Sequence, residues 1–360
     1  MSIALILGTR PEIIKMSPVI RELGRKKADF FILHTGQHYS YNLDKVFFEQ
    51  LELPQPRYNL DVGSGSHAEE TSKMLVGIEK VLLEEKPEVI LVQGDTNSVL
   101  AGALAAAKLA IKVGHIEAGL RSYDRTMPEE INRVLADHCA DLLFAPTEKA
   151  EQILLGEGIP ADRIFVTGNT IVDAVYQNRA IAREKGNILD ALKLKAREYF
   201  LVTLHRQENV DDKARFTSIL TGLDRVATEF ETPLVYPVHP RARKMMTRFG
   251  LHPQHIRLTE PLDFLSFLHL ESNARLVFTD SGGIQEESCI LDVPCVTLRD
   301  NTERPETLDV GANILAGSSP QKIVACAKLM LGKEPRWHNP FGDGTAGSKI
   351  VKITMGDSND

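Results

Sequence analysis

Short apolar runs alternating with helical stretches, repeated along the whole chain, restrict its fold more than any other feature. Residues 3–7, 30–34, 89–92, 113–116, 142–145 and 164–166 read as buried strands separated by longer segments, most of them helical. After a polar helical stretch ending near Tyr199, strands resume at 200–203, 234–238, 256–258, 276–279, 295–297 and 313–316. Uninterrupted apolar runs of this length fit strands buried on both faces, as in a parallel sheet covered by crossover helices. Six alternations complete one doubly wound sheet, and a second round demands a second sheet. A chain of 360 residues also exceeds the usual size of one core. Two α/β domains are therefore predicted, 1–170 and 171–340, facing across a cleft, with the tail at about 340–360 packing back on the first. The stretch 53–67, with Pro54, Pro56, Gly63 and Gly65, reads as irregular.

In parallel sheets ligands bind beyond the carboxyl ends of the strands. Two predicted strands of the first domain each deliver an acid there: Asp95 after 89–92 and Glu117 after 113–116. A third acid, Glu129, precedes Arg133 at helical i,i+4 spacing, with Ile131, Val134, Leu135 and His138 as the core stripe of the same helix. Asp95 also reads as a cap for the Ala-rich helix behind it. Glu117, in His-Ile-Glu-Ala-Gly, has no helix to serve, and partial burial would raise its pKa toward that of a general acid. Three carboxylates and a guanidinium so close in sequence point to proton transfer.

The second domain carries features suited to an anion. Thr279-Asp280-Ser281-Gly282-Gly283 follows a strand and opens a helix, which places bare backbone N–H groups at the positive helix end. Glu287, one turn into that helix, is a candidate acceptor for ribose hydroxyls. Arg304, in Thr-Glu-Arg-Pro-Glu, has the forked donors suited to phosphate. Arg10 and Lys15 follow the first strand, while His205 and His239 follow the strands at 200–203 and 234–238. A pair of strand-end imidazoles can balance a phosphate and move a proton. Phe264 and Phe267 are expected to pack inward, unless one of them faces a base.

Several classes are excluded. A net charge of −7 and a pI near 5.9 do not suggest a nucleic-acid partner. Cys139, Cys289, Cys295 and Cys326 are scattered without metal-type spacing, which fits a reducing, cytoplasmic-type compartment without disulfides or zinc. The strand-end histidines lack H-x-x-x-H or C-x-x-C company, so no metal site is expected. No G-x-G-x-x-G follows the first strand, which argues against a nicotinamide dinucleotide and leaves no cofactor expected. Nothing reads as a membrane span.

Taken in order, these motifs resemble the non-hydrolysing UDP-N-acetylglucosamine 2-epimerases almost end to end. The likeness rests on Gly-Thr-Arg-Pro-Glu at 8–12, Gln-Gly-Asp-Thr at 93–96, His-Ile-Glu-Ala-Gly-Leu-Arg at 115–121 and Met-Pro-Glu-Glu-Ile-Asn-Arg at 127–133. In the second half it rests on Val-Thr-Leu-His-Arg at 202–206, Pro-Val-His-Pro at 237–240, Thr-Asp-Ser-Gly-Gly-Ile-Gln-Glu-Glu at 279–287 and Thr-Glu-Arg-Pro-Glu at 302–306. The resemblance implies two Rossmann-like domains in the glycosyltransferase-B arrangement, a homodimer, and epimerisation at C2 of UDP-N-acetylglucosamine to UDP-N-acetylmannosamine. Elimination of UDP to a 2-acetamidoglucal, followed by re-addition, is the route implied.

By the same resemblance Asp95, Glu117, Glu129, Arg133 and His205 form the reaction group, with Lys15 adjoining. Arg10, His239, Ser281, Gly282, Gly283, Glu287 and Arg304 would bind the nucleotide sugar, with Leu262 and Phe267 near the uracil. Gln37 and His38 fall in the region matching an allosteric UDP-N-acetylglucosamine site of some relatives. Two neighbouring activities share these motifs: C2 epimerisation of a UDP-2,3-diacetamido uronate, and a hydrolysing reaction that releases free N-acetylmannosamine.

Overall fold

The computed structural model describes residues 1–36, 41–186 and 188–356. It divides into two compact units, one of Met1–Gln177 with Phe341–Asp360, the other Asn178–Pro340. The first is built on strands β1 (Ser2–Leu7), β2 (Asp29–His34), β3 (Tyr58–Asn59), β4 (Val89–Gln93), β5 (Lys112–Ile116), β6 (Leu142–Ala145) and β7 (Ile164–Val166). They form one seven-stranded sheet in the order β3-β2-β1-β4-β5-β6-β7, and every pairing is parallel. The second contains β8 (Phe200–Thr203), β9 (Leu234–Pro237), β10 (Ile256–Thr259), β11 (Leu276–Thr279), β12 (Cys295–Thr297) and β13 (Asn313–Leu315). Its order, β10-β9-β8-β11-β12-β13, is again wholly parallel.

Each sheet is buried because its strands are apolar on both faces. Residues 3–7 and 89–92 are almost completely inaccessible to solvent. In the second unit Phe200, Phe278 and Tyr236 fill the centre of a separate core. The strand order turns outward at β1/β4 and at β8/β11, and these switch points are where a doubly wound sheet opens a crevice at its carboxyl edge. β1, β4 and β5 end there with Gly8-Thr9-Arg10, Gly94-Asp95-Thr96 and Glu117; β8, β9 and β11 end with His205, His239 and Asp280-Ser281.

One element departs from the expected irregular stretch at 53–67. Tyr58–Asn59 adds a two-residue edge strand, with Leu33 opposite Tyr58 and His34 opposite Asn59. Pro54 and Pro56 cannot donate ladder hydrogen bonds, which confines this pairing to the sheet edge and keeps it short. After the second unit the chain returns to the first. Asp173 accepts from the backbone N–H groups of Ala346 and Gly347 at 3.2 and 2.9 Å, fixing the start of the helix Ala346–Thr354.

Candidate active site

Glu117 sits at the end of β5 with φ +73°, a left-handed conformation that costs energy for a residue with a side chain. Its amide donates to the Phe144 carbonyl at 3.1 Å, which ties the turn to β6. The carboxylate is 7% exposed, and the Lys15 ammonium touches both of its oxygens, at 2.6 and 2.8 Å. Gln93, the last residue of β4, donates to it as well. Sequence reasoning expected burial to govern this acid. The structure adds an opposite charge, and in this ion pair Glu117 is a carboxylate, the form that accepts a proton.

Asp95 lies one turn of chain beyond β4. Its carboxylate pairs with Arg133 at 2.5 Å, and its carbonyl accepts from Asn132 at 2.9 Å. It does not cap the following helix. Thr96 does, accepting from the Val99 N–H at 3.4 Å, because the N-cap hydroxyl must come from the residue next to the first helical turn. Asp95 is left to Arg133.

The helix Pro128–Cys139 turns differently from its predicted stripe. Glu130, Asn132, Ala136 and Asp137 are its buried positions, while Leu135 and His138 are exposed and Ile131 and Val134 only half-buried. Polar partners outweigh hydrophobicity here. Glu130 accepts from Ser122 and Tyr123 backbone N–H groups at 2.8 and 2.9 Å and pairs with Arg133 at 3.0 Å. Arg133 therefore bridges Glu130 and Asp95. Glu129 is exposed on the first turn of the helix.

Glu12, the last residue of the opening motif, was not assigned from sequence. It is buried and accepts from the N–H groups of Gly8 and Thr9 at 2.9 and 2.7 Å and from the Thr96 hydroxyl at 2.6 Å. One carboxyl thus joins the turn after β1 to the turn after β4. Burial pushes its pKa up against these hydrogen bonds. Arg10 projects from the same turn with its guanidinium 5.9 Å from the Phe47 ring centre. Gln37 and His38 lie outside the described residues.

In the second unit Asp280, wholly buried, is the organising group. It accepts from the N–H groups of His205 and Arg206 and from the Asn209 amide at 3.0–3.2 Å, and its oxygen lies 3.2 Å from His205 Nδ1. Burial opposes ionisation, but His205 and these donors hold the carboxyl below its ordinary value. His205 is thereby fixed at the sheet edge with its ring 5.7 Å from that of His239. His239 Nδ1 accepts from the Arg241 N–H at 3.2 Å and caps the helix Pro240–Phe249. Burial, then His205 and Arg241, lowers its pKa.

The helix Gly282–Ile290 starts directly after Ser281, whose hydroxyl makes no capping bond to it. Neither Gly282 nor Gly283 has a positive φ, and a Cβ added at either would meet nothing closer than 3.7 Å. Neither backbone strain nor packing explains glycine here. What two missing side chains leave is open access to the helix N-terminus, where N–H groups and the helix dipole attract an anion. Arg304 is held beside the same helix by Glu286, 2.8 Å from its Nε. Glu287 is nearly buried next to Glu271, and burial together with the Glu287 charge drives the Glu271 carboxyl well above its ordinary value.

Phe264 and Phe267 do not pack inward as expected. Both are half-buried on the helix Phe264–Ser272, because Leu265 and Leu268 occupy its buried face; Leu262 is half-buried just before it. Among the described residues no group of three or more His, Cys, Asp or Glu is arranged to hold a metal ion.

Paired parallel sheets with functional groups at their carboxyl edges define a class, the α/β architecture shared with glycosyltransferases. A glycosyltransferase from Rickettsia africae, 11% identical, superimposes with a TM-score of 0.58 over 99% of each chain. The family profile of UDP-N-acetylglucosamine 2-epimerase matches residues 21–355. The chain belongs to that family. It is 56% identical to a UDP-N-acetylglucosamine 2-epimerase of Methanococcus maripaludis over 99% of this chain and 98% of the relative. A crystal structure of the Methanocaldococcus jannaschii enzyme in complex with UDP-GlcNAc and UDP, 55% identical, matches with a TM-score of 0.86 over 99% of each chain. A UDP-2,3-diacetamido-2,3-dideoxy-D-glucuronate 2-epimerase of Pseudomonas aeruginosa is 42% identical over 98% of this chain and 99% of the relative.

Proposed function

We propose that this protein interconverts UDP-N-acetylglucosamine and UDP-N-acetylmannosamine by non-hydrolysing epimerisation at C2. The observation that carries the reading is the pair of acids on adjacent strand ends, each held by a different cation: Glu117 by Lys15, and Asp95 by the Arg133 that also pairs with Glu130. The hydrogen at C2 is not acidic, so its removal must be coupled to departure of UDP from C1. A carboxylate takes the C2 proton, the C–H electrons form the C1–C2 double bond of a 2-acetamidoglucal, and the C1–O bond breaks with its electrons leaving on UDP. In the return step the acid on the other face, having taken a proton from solvent, delivers it to C2, the electrons of the C1–C2 double bond form the new C2–H bond, and a β-phosphate oxygen re-forms the bond to C1. Two faces require two proton carriers, and Asp95 and Glu117 supply them, with Glu129 at the rim.

The charge that grows on the departing diphosphate falls to Ser281, the N–H groups at Gly282 and Gly283, His205, Arg304 and Arg10; donors of this kind act most strongly where charge develops. His239 stands beside His205 in this group. Glu287 is the acceptor for ribose hydroxyls, and Phe267 with Leu262 offers half-buried apolar surface for the uracil. No cofactor takes part in this scheme. We further place the enzyme in the cytoplasm as a homodimer supplying polysaccharide precursors; its four unpaired cysteines suit a reducing compartment.

The relative at 42% identity favours one other substrate, the UDP-diacetamido uronate. Incubation with each sugar in deuterium oxide, followed by proton NMR, separates the two. Deuterium entering C2 of UDP-N-acetylglucosamine as the manno epimer appears supports the reading. Exchange confined to the uronate, or free sugar accumulating with UDP, overturns it.

A further inference from the structure

A histidine outside the reaction group is joined to both acid-bearing turns. His115, in β5, is fully buried with both ring nitrogens engaged: Nδ1 lies 2.6 Å from Asp137 and Nε2 lies 2.8 Å from the Gly94 carbonyl oxygen. A carbonyl only accepts, so Nε2 carries a proton. Asp137, also fully buried, already accepts from the Gly119 N–H at 3.2 Å and pairs with Arg121 at 2.7 Å, which makes it an anion toward which Nδ1 donates as well. The ring is an imidazolium. Burial would discharge it, but Asp137, the Gly94 carbonyl and the Glu117 charge raise its pKa instead. Arg121 in turn pairs with Glu157 at 2.6 Å, and Glu117 with Lys15, so these are the charges that surround it.

Gly94 is the residue before Asp95 and has φ +87°. Its N–H donates to the Ile116 carbonyl at 3.1 Å while its carbonyl accepts from the His115 Nε2–H. Both polar groups of its backbone are thus held by β5, the strand that ends in Glu117. β4 and β5 are already paired along their length, from Val89 with Lys112 to Gln93 with Ile116. A buried ionic network is a costly way to add stability, since well-packed apolar side chains often do as well or better. What it adds is a fixed geometry at the two tips.

We infer that His115 is a positioning residue: by clamping the Gly94 carbonyl to β5 it sets Asp95 at a fixed place relative to Glu117. The inference rests on the epimerase reading for its kinetic consequence, but not for the state of the ring. Two variants separate the clamp from general support. The Asn amide falls where Nδ1 lies and the Gln amide reaches toward Nε2, so His115→Asn keeps the bond to Asp137 and His115→Gln keeps the bond to Gly94. His115→Asn is expected to lower kcat about 100-fold with KM for UDP-N-acetylglucosamine changed less than about threefold, the size of effect a misplacement near 1 Å produces. His115→Gln is expected to lose less than about tenfold by the same reasoning. Activity of His115→Asn within about threefold of the parent, losses that follow thermal midpoints rather than the Gly94 bond, or His115→Gln being the more impaired would each overturn the inference.

Nitrogen-15 NMR of the unaltered enzyme tests the ring even if neither variant folds. A histidine ring with two slowly exchanging N–H protons at neutral pH is expected; only singly protonated rings there would contradict it. If the doubly protonated ring is present but UDP-N-acetylglucosamine is not turned over, the epimerase reading fails and the clamp stands.

Discussion

The strand ends of the two units solve opposite electrostatic problems. In the first, the two strand-end carboxylates are already paired with cations, Glu117 with Lys15 and Asp95 with Arg133, so their geometry is set without a ligand. In the second, the helix Gly282–Ile290 begins with a turn that the Ser281 hydroxyl does not cap, under two uncrowded glycines, and the Glu303 carboxylate near Gly282 is already paired with Arg299, which leaves the turn to an incoming anion. Proton carriers need orientation before the substrate arrives, whereas a diphosphate brings its own charge to waiting donors. The contrast suggests that substitutions in the first unit act on turnover and those in the second on affinity.

The sharpest way to break this contrast is Glu117→Gln. Loss of a positioned acid–base group is worth about 10²- to 10⁴-fold, and turnover measured by C2 deuterium incorporation is expected to fall within that range while UDP affinity, measured by calorimetry, stays within about twofold. A parallel loss of UDP affinity would dissolve the distinction. Ser281→Ala is the converse. A hydrogen bond to a charged partner contributes roughly 1.5–3 kcal/mol, so UDP is expected to bind at least about tenfold more weakly. Unchanged UDP affinity would remove Ser281 from the phosphate site.

The smallest expected effect is on acid stability. Hydrogen bonds from Arg299, outweighing desolvation, pull the Glu303 carboxyl to about 2. That lies below the roughly 4.3 of an unfolded glutamate, so its contribution is complete above the unfolded value and is lost as pH falls through the folded one. Glu303→Gln is therefore expected to be less stable than the parent near neutrality, by a modest amount because the pair is partly solvated. The gap should close between about pH 4.5 and 2, as followed by denaturant unfolding. A difference that is the same at every pH would rule the ion pair out as its source.

The sheets were legible because burial on both faces leaves an uninterrupted apolar run, and each of the longer strands announces itself that way. Tyr58–Asn59 carries no such run and pairs only because it lies along β2. The acids at strand ends were legible for the same reason, since position after a buried strand is a sequence property. Partnership was not. Thr96 rather than Asp95 as cap, Glu130 rather than Glu129 on Arg133, and the exposed Leu135 all depend on which face of a helix finds polar partners elsewhere in the fold. The roles of Glu12 and His115 are of this kind too: both sat in quoted motifs, and only their contacts across strands, Glu12 with Thr96 and His115 with Gly94, give them a function.

The claim beneath everything else is that the bond from C1 to the diphosphate breaks whenever C2 is epimerised. UDP-N-acetylglucosamine carrying oxygen-18 in the C1–O–P bridge tests it directly, with phosphorus-31 NMR following the label. Scrambling of the label into non-bridging positions of the β-phosphate, in step with appearance of the manno epimer, is the expected result. Epimerisation with the label still wholly in the bridge would contradict the elimination and the division of labour argued from it.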